Sequence, residues 1–563
     1  MCLSAVAAVL TAPPRPRADG RVHLLHADEL YYNQRVNREA QILVGNVRFR
    51  HDDVILTCDS ALFFQADNTF DAFGHVRMNQ ADTLTLVSDV LYYDGTQQLA
   101  QARYNVVMSH HDSRLYCDSL NYDRIDNLGY FFNGGRLVDK ENTLTSEWGQ
   151  YSPATREAIF NYNVYLRNPQ FTLVSDTLHY NTATGWARIV GPSNIDSGDN
   201  HIYSENGHYD TRAGRAYLLD RSIVSNQGAS IEADSLCYQA DSTLSKAFGN
   251  VVYIDRDNRN EFRGNYVLYS DSLGYAEAAD SAVCIDYSQP DTFYIHADSF
   301  RVRTYYIDTD TMWRELRAYR HVRAFRRDVQ AVCDSLVFHS LDSCITMYKD
   351  PILWQQGQQL LGEEIKAWLN DSTIDSTHVL RQALSVERID SMCYNQVAGH
   401  VMRSYFSGGE MHTTVVDDNV RVNYFPFDSD SLMIGMVHAE GSLLTLYMAE
   451  RRVRKIIFDG STEGRMHPLA LIPPAERYLD NFHWFDYIRP LSKDDIFVWR
   501  PKREGTALKP SVQHTPRRAA PPAALGTPVG ADPRGNPSAA TSPATATRGS
   551  ASASKGPRQA ARH

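Results

Sequence analysis

The chain lacks a long apolar run, a paired-cysteine motif and any catalytic signature. In 563 residues, no stretch approaches the roughly 18 consecutive apolar residues that a membrane-spanning helix needs. Its eight cysteines include no Cys-x-x-Cys pair, which argues against zinc and dithiol redox sites. There is no His-Glu-x-x-His, no Gly-x-Ser-x-Gly elbow, no Walker loop and no Gly-x-Gly-x-x-Gly. The acidic clusters Asp308-Thr309-Asp310 and Asp428-Ser429-Asp430 lack the rest of a calcium loop. No catalytic residue, metal ligand or cofactor is expected. A basic excess is also missing from most of the chain: Lys502 to His563 holds ten basic and two acidic residues and is net +8, leaving −19 for the remainder. An acidic body argues against nucleic acid as a partner, because phosphate binding needs a basic face.

What is present is a repeat. A small residue, an acid, then an apolar and an aromatic residue two and four places on recur as Ala27-Asp28-Glu29-Leu30-Tyr31-Tyr32, Ser88-Asp89-Val90-Leu91-Tyr92-Tyr93 and Cys117-Asp118-Ser119-Leu120-Asn121-Tyr122. Ser175-Asp176-Thr177-Leu178-His179-Tyr180 and Ala233-Asp234-Ser235-Leu236-Cys237-Tyr238 follow, with looser copies at Asp59, Glu147, Glu205, Asn265, Asp298, Asp334 and Glu364. The acids stand 29 to 36 residues apart, and a fixed period of this size means one small unit stacked many times. Between the acids lies a second phrase, Asn/His-Val, often preceded by glycine: Gly45-Asn46-Val47, Gly74-His75-Val76 and Gly249-Asn250-Val251. Alternation with a period of two marks both phrases as strands. It places Asp118, Leu120 and Tyr122 on one face and Cys117, Ser119 and Asn121 on the other.

The repeated acids (Asp28, Asp59, Asp89, Asp118, Asp176, Asp234, Asp298 and Asp334) are read as structural, each fastening turn amides at a strand start. Catalytic carboxylates come as one pair, not as a dozen copies. Cys58, Cys117 and Cys333 share the small position before the acid and are expected to be buried fillers, too far apart for a disulfide.

Small-Asp-x-Leu-x-Tyr with an intervening Gly-Asn/His-Val strand resembles the OstA/LptA-like periplasmic lipopolysaccharide-transport family, over roughly residues 21 to 400. Phe73-Gly74-His75-Val76 and Phe248-Gly249-Asn250-Val251 carry the likeness best. The resemblance implies an all-β, elongated repeat β-jellyroll, two sheets meeting in a V; a parallel β-helix is the alternative. It also implies a non-catalytic bridge carrying lipopolysaccharide acyl chains through the periplasm toward the outer membrane. Its partners would be inner- and outer-membrane transport components of the same fold, with end-to-end self-association. The candidate lipid lining is Leu30, Tyr32, Val47, Phe49, Val76, Met78, Leu91, Tyr93, Val106, Met108, Leu120, Tyr122, Val164, Leu166, Leu178, Tyr180, Leu236, Tyr238, Val251 and Tyr253, with filling of a dry core as the competing role. Other readings are a β-helix enzyme acting on polysaccharide, which predicts a charged cluster at one rung, and a β-solenoid adhesin or scaffold with a sealed core.

Residues 1–20 read as an incomplete signal peptide or a disordered end: Leu3 to Leu10 is apolar but no basic segment precedes it. Residues 401–500 read as a β-rich capping segment with a short helix from Ala475 to Tyr487, and 501–563 as a disordered basic tail rich in Pro and Ala.

Overall fold

The computed structural model describes residues 20–508 apart from 33–38, 81–82, 240–244, 271, 308, 356, 371–372 and 451. The expectations for residues 1–19 and for the tail from 509 lie outside these residues. The chain divides into two units, Met1–Ser511 and Val512–His563, and the second is wholly outside.

The architecture is all-β, with thirty-four strands in one sheet among the described residues. The ladder is a meander in which Gln41–His51 pairs with Val54–Phe64, that strand with Thr69–Gln80, then Leu84–Asp94, Leu99–His110 and Ser113–Asp123, always antiparallel. A parallel β-helix is therefore not the fold. Each repeat supplies two strands of 11 or 12 residues, so a repeat advances the ladder by two strand spacings, about 9.6 Å.

Every long strand is bent near its middle, and the bend is written in the two phrases. At each bend the register shifts, as between Thr57 and Ser60 or between Val87 and Val90. The Asn/His strand turns through two consecutive residues of positive φ: Gly45 and Asn46, Gly74 and His75, Tyr104 and Asn105, Tyr162 and Asn163, Gly249 and Asn250. Asparagine and glycine tolerate this left-handed geometry best, and the result is a β-bulge that folds one long strand into two arms.

The acid strand crosses the same line in one residue fewer, three steps from Val87 to Val90 against four from Arg103 to Val107, and the odd step flips its side-chain alternation. Leu115 and Cys117 point inward before the bend, and Leu120 and Tyr122 point inward after it, while Asp118 is exposed. The period-two reading that put Asp118 with Leu120 on one face is corrected: a bulge lies inside the phrase, and alternation holds only on either side of it. The small residue before the acid is the inward one at the inner apex of the V, where the two arms converge. Ser88, Ser146, Ser175 and Ser204 occupy it and are buried, each hydroxyl donating to the carbonyl two residues on. Cys58 and Cys333 fill the same place; Cys117 is half-buried there. Burial pushes the Cys58 and Cys117 thiols up to about 12.

The acids themselves stand on the outer spine of the bend, not at a strand start. Asn46 Nδ2 donates to Asp28 at 2.8 Å, Asn105 to Asp89 at 2.6 Å and Asn250 to Asp234 at 2.9 Å. His75 shares a 2.7 Å bond with Asp59, His321 lies 3.0 Å from Asp298, and Lys349 donates to Asp334 at 2.8 Å. The usual offset is 16 residues; sixteen on from Asp118 and Asp176 stand Gly134 and Pro192, which carry no side-chain donor. The acid's partner is thus the adjacent strand's Asn or His, not a run of turn amides. Glycine makes room for it: a Cβ on Gly74 would fall 2.4 Å from Asp59 Oδ2.

The ladder does not stop near residue 400. Tyr394–Ser407, Glu410–Tyr424 and Gly435–Ala449 extend it with the same mid-strand shifts, and Arg452–Asp459 and Glu463–Pro468 each cover half of the last long strand. The remaining segment, 469–508, is a strap across the outer face of the sheet. The helix expected over Ala475 to Tyr487 is absent; the segment is turns and extended chain with single 3-10 turns at Leu469–Leu471, Asp486–Ile488 and Asp495–Phe497. Its backbone is spent on the sheet instead of on itself. Gln396 donates to Arg477 O and accepts from Leu479 N, and Gln359 does the same with His483 O and Phe485 N. Leu479, Phe485 and Ile488 bury Val332, Ile352, Leu361, Leu384 and Ala398.

Candidate functional site: the interior of the V

The interior is one continuous apolar core from Val22 to Leu444. Sixteen of the twenty lining candidates are buried in it: Val47, Phe49, Val76, Met78, Leu91, Tyr93, Val106, Met108, Leu120, Tyr122, Val164, Leu166, Leu178, Tyr180, Leu236 and Val251. Tyr238 and Tyr253 are half-buried, whereas Leu30 (50%) and Tyr32 (64%) are exposed.

The tyrosines that close four successive repeat phrases sit near the rim of one arm and reach across the mouth of the V to the rim of the other. Tyr93 shares a 2.6 Å bond with His51 and accepts from Arg124 at 2.8 Å. Tyr122 donates to Gln80 at 3.0 Å, and Tyr151 bonds His110 at 2.8 Å. Tyr180 donates to Asp139 at 2.7 Å and accepts from Asn142 at 2.9 Å. Partners lie about 41 residues upstream, at the far ends of strands that run the other way. Burial pushes the Tyr93, Tyr122, Tyr151 and Tyr180 hydroxyls above the ordinary phenol value, with Asp139 raising Tyr180 further. Burial draws His110 down to about 4. These groups are neutral in the fold, as a sealed apolar interior requires.

The closure loosens at Tyr238. Its hydroxyl accepts from Asn200 at 3.3 Å, and beside it a cleft of about 250 Å³ opens between Val224, Ile231, Leu236, Tyr238, Tyr253 and Tyr269. A smaller void of about 50 Å³ lies among Met402, Met411, Leu444, Met448 and Ile456. Apolar walls with a few hydroxyls and amides bind an apolar chain by area and offer no group for bond-making chemistry. Among the described residues no cluster of three or more His, Cys, Asp or Glu is placed to hold a metal.

The sequence marked the tyrosines but not their partners. His51, Gln80, His110 and Asp139 share one feature, each being the last residue of its strand. Gln359 and Gln396 lack even that.

A comparison with protein families matches residues 19–176 to the one described as OstA-like protein. A comparison with curated proteins finds no match. Among solved structures the chain is similar to LptH, the LptA homologous periplasmic component of the conserved lipopolysaccharide transport device from Pseudomonas aeruginosa. That likeness is 14% identical, covers 18% of this chain and 76% of that one, and has a TM-score of 0.17. The family match spans the phrases at Asp28, Asp59, Asp89, Asp118, Glu147 and Asp176 together with their Asn/His-Val strands, so the likeness to the OstA-like family rests on residues 19–176.

Proposed function

We propose that the protein is a non-catalytic lipid carrier of the periplasm, holding lipopolysaccharide acyl chains within the V as part of transport toward the outer membrane. Inner- and outer-membrane components of the same fold would be its partners. The observation that carries the reading is the combination of an OstA-like match with an antiparallel V whose apolar interior opens at Tyr238 and Tyr253. Each acyl methylene taken from water into such a cleft contributes about 0.8 kcal/mol, so a chain of several carbons is retained without any charged contact. Among the described residues the first half is packed down to a gap of about 10 Å³ beside Val22, Phe49 and Tyr93, and acyl contact belongs to the cleft instead of to a uniform furrow.

Photo-crosslinking in living cells tests this. A photoreactive residue at Tyr253 faces the cleft, and one at its neighbour Val252 faces outward; lipopolysaccharide adducts are expected at 253 and not at 252. Equal labelling, or none at either position, refutes acyl binding in the cleft. The sealed interior of the first half also favours a second reading, a scaffold without ligand. Intact lipopolysaccharide delivery after depletion of the protein would favour that one.

A further inference from the structure

The strap is held by side chains that read its backbone and not its sequence. Asn423, Gln396, Gln359 and Arg323 stand one after another across the outer face, each fully buried. Asn423 donates to Glu476 O at 2.8 Å, and Gln396 and Gln359 each hold one carbonyl and one amide at 2.8 to 3.0 Å. Arg323 donates to Ile488 O at 3.1 Å. Between these contacts Leu479, Phe485 and Ile488 pack on Ile352, Trp354, Leu361 and Leu384. Such a seat is a groove for an extended peptide, with main-chain hydrogen bonds for affinity and apolar contacts for choice.

The seat is complete within residues 476–488, so its contacts do not depend on how the strap is joined to the sheet. It is also imperfect. Arg323 Nε and Nη2, Trp354 Nε1, Arg477 Nε and Asn481 Oδ1 are buried there without a hydrogen-bond partner, and each such group weakens the hold on the strap. The joint that carries the strap is short and stiff: Pro468, an uncapped 3-10 turn at Leu469–Leu471, then Pro473-Pro474. Leu469 and Leu471 (70%) are exposed on it. Phe427, Leu432 (64%) and Ile434 are exposed on the neighbouring loop, which the pairing of Gly435 with Pro468 brings alongside. A cluster of exposed apolar residues at a hinge marks a surface that another chain covers.

We propose that the groove takes the strap of a second copy, so that two chains associate by exchanging straps. Exchange of an identical terminal segment repeats in trans the contacts made in cis, and a short, stiff hinge invites it. The occupant is selected by fit: the strap is the segment that the groove holds, and every copy carries it. A two-fold exchange brings the two hinges together and covers apolar residues that a single chain leaves in water. The contact lies on the outer face and leaves the cleft at Tyr253 free.

Two full-length variants test the exchange. In one, Leu479, Phe485 and Ile488 are replaced with Ser, which spoils the strap and leaves the groove. In the other, Gln359 and Gln396 are replaced with Leu, which spoils the groove and leaves the strap. The unaltered chain is expected to form dimers in analytical ultracentrifugation and to trade fluorescently labelled subunits. Each variant alone should be monomeric, and an equimolar mixture should form a heterodimer, because an intact strap meets an intact groove only in trans. Gln396→Leu added to the strap-spoiled variant should weaken the mixed pair at least about tenfold. Should circular dichroism show loss of the sheet in the triple variant, Leu479→Ser alone serves in its place. A fluorescent peptide of residues 475–490 should bind the strap-spoiled variant. Peptide binding without pairing of the mixed variants would assign the groove to an extended segment of another protein and overturn the proposal. A monomeric unaltered chain, or dimers undiminished in either variant alone, would overturn it as well.

Discussion

Changing Tyr180 to Phe removes one oxygen from the mouth of the V and tests whether the tyrosine row holds the two arms together. In the folded chain that hydroxyl donates to Asp139 Oδ2 at 2.7 Å and accepts from Asn142 Nδ2 at 2.9 Å. Asp139 is 1% exposed and keeps one other side-chain donor, Ser113, at 3.0 Å. Loss of a hydrogen bond to a buried charged group costs about 1.5–3 kcal/mol, and with no cavity opened the packing term is small. Units of a repeat protein melt with their neighbours, so a global midpoint dilutes the effect. The sharper assay is amide hydrogen exchange on the strands Gly135–Asp139 and Phe171–Asn181. A local loss of about 2 kcal/mol speeds opening about thirty-fold there. A double-mutant cycle with Asp139→Asn isolates the pair. The matching change at Tyr238, half-buried with a neutral donor at 3.3 Å, should cost less than about 1 kcal/mol. Equal effects at the two tyrosines, or less than about 0.5 kcal/mol at Tyr180, would refute a row that seals one half and opens in the other.

Alkali should open the same mouth. Tyr122, Tyr151, Tyr180 and Tyr209 have phenols raised above 10 chiefly by burial, so their contribution is intact below pH 10 and is lost as pH rises through the higher folded values; absorbance of phenolate should lag and then rise together with loss of exchange protection. His110 acts in the opposite direction. Its pKa is drawn from 6.5 to about 4 by burial, then by His111 and Arg156, so its contribution is present above 6.5 and lost as pH falls toward 4, with exchange at Tyr151 as the readout. Gly74→Ala should cost about 1–2 kcal/mol, because a Cβ must accept φ +73° and sits 2.4 Å from Asp59 Oδ2. Adding Asp59→Ala should recover the steric part and leave the dihedral part, read by urea unfolding. Gln396→Leu leaves Leu479 N without its partner and Arg477 O with Asn423 alone, at 3.2 Å; this costs about 1–3 kcal/mol and should expose the strap to limited proteolysis while the sheet stays protected.

How far the sequence could be read depends on what each phrase encodes. The all-β class, the repeat and the two strands per unit follow from side-chain alternation, a local property. The bend was hidden inside that same alternation: Cys117-Asp118-Ser119-Leu120 reads as one even strand unless a bulge is allowed for, and nothing local separates an exposed acid on a spine from one at a strand start. The tyrosine partners are separated by about 41 residues and belong to a different strand, so they appear only when the register is known. The strap is harder still. Gln359 and Gln396 are fully buried, but in a linear sequence they look like any glutamine on the wet face of a strand. Their role depends on a segment more than eighty residues downstream.

The acid-x-Leu-x-Tyr phrase serves three sites at once, and that explains both its regularity and its end. The acid steadies the bend from outside, the small residue before it lets the arms meet, and the tyrosine ties the mouth. The acid finds its partner on the adjacent strand, 16 residues on, whereas the tyrosine reaches 41 residues away to the other arm, so the last task is the one that can be relaxed without unmaking the fold. Four places after the acid, the series runs Phe63, Tyr93, Tyr122, Tyr151, Tyr180, Tyr209, Tyr238 and Tyr269, then Val302 and Phe338. The bend acids Asp298 and Asp334 continue beyond the last tyrosine and still hold His321 and Lys349. Bend and closure are therefore independent features. A chain that keeps its bends and gives up its ties keeps the V; the last tyrosines of the series, Tyr238 and Tyr269, line the cleft, and past them Val302 and Phe338 carry no hydroxyl. Placing tyrosine and its upstream partner at the Val302 and Phe338 positions should close the second half as the first is closed. A fold-neutral closure of that kind, which abolished crosslinking at Tyr253 while leaving the sheet intact, would tie lipid contact to an open mouth of the V and not to the apolar strip as such.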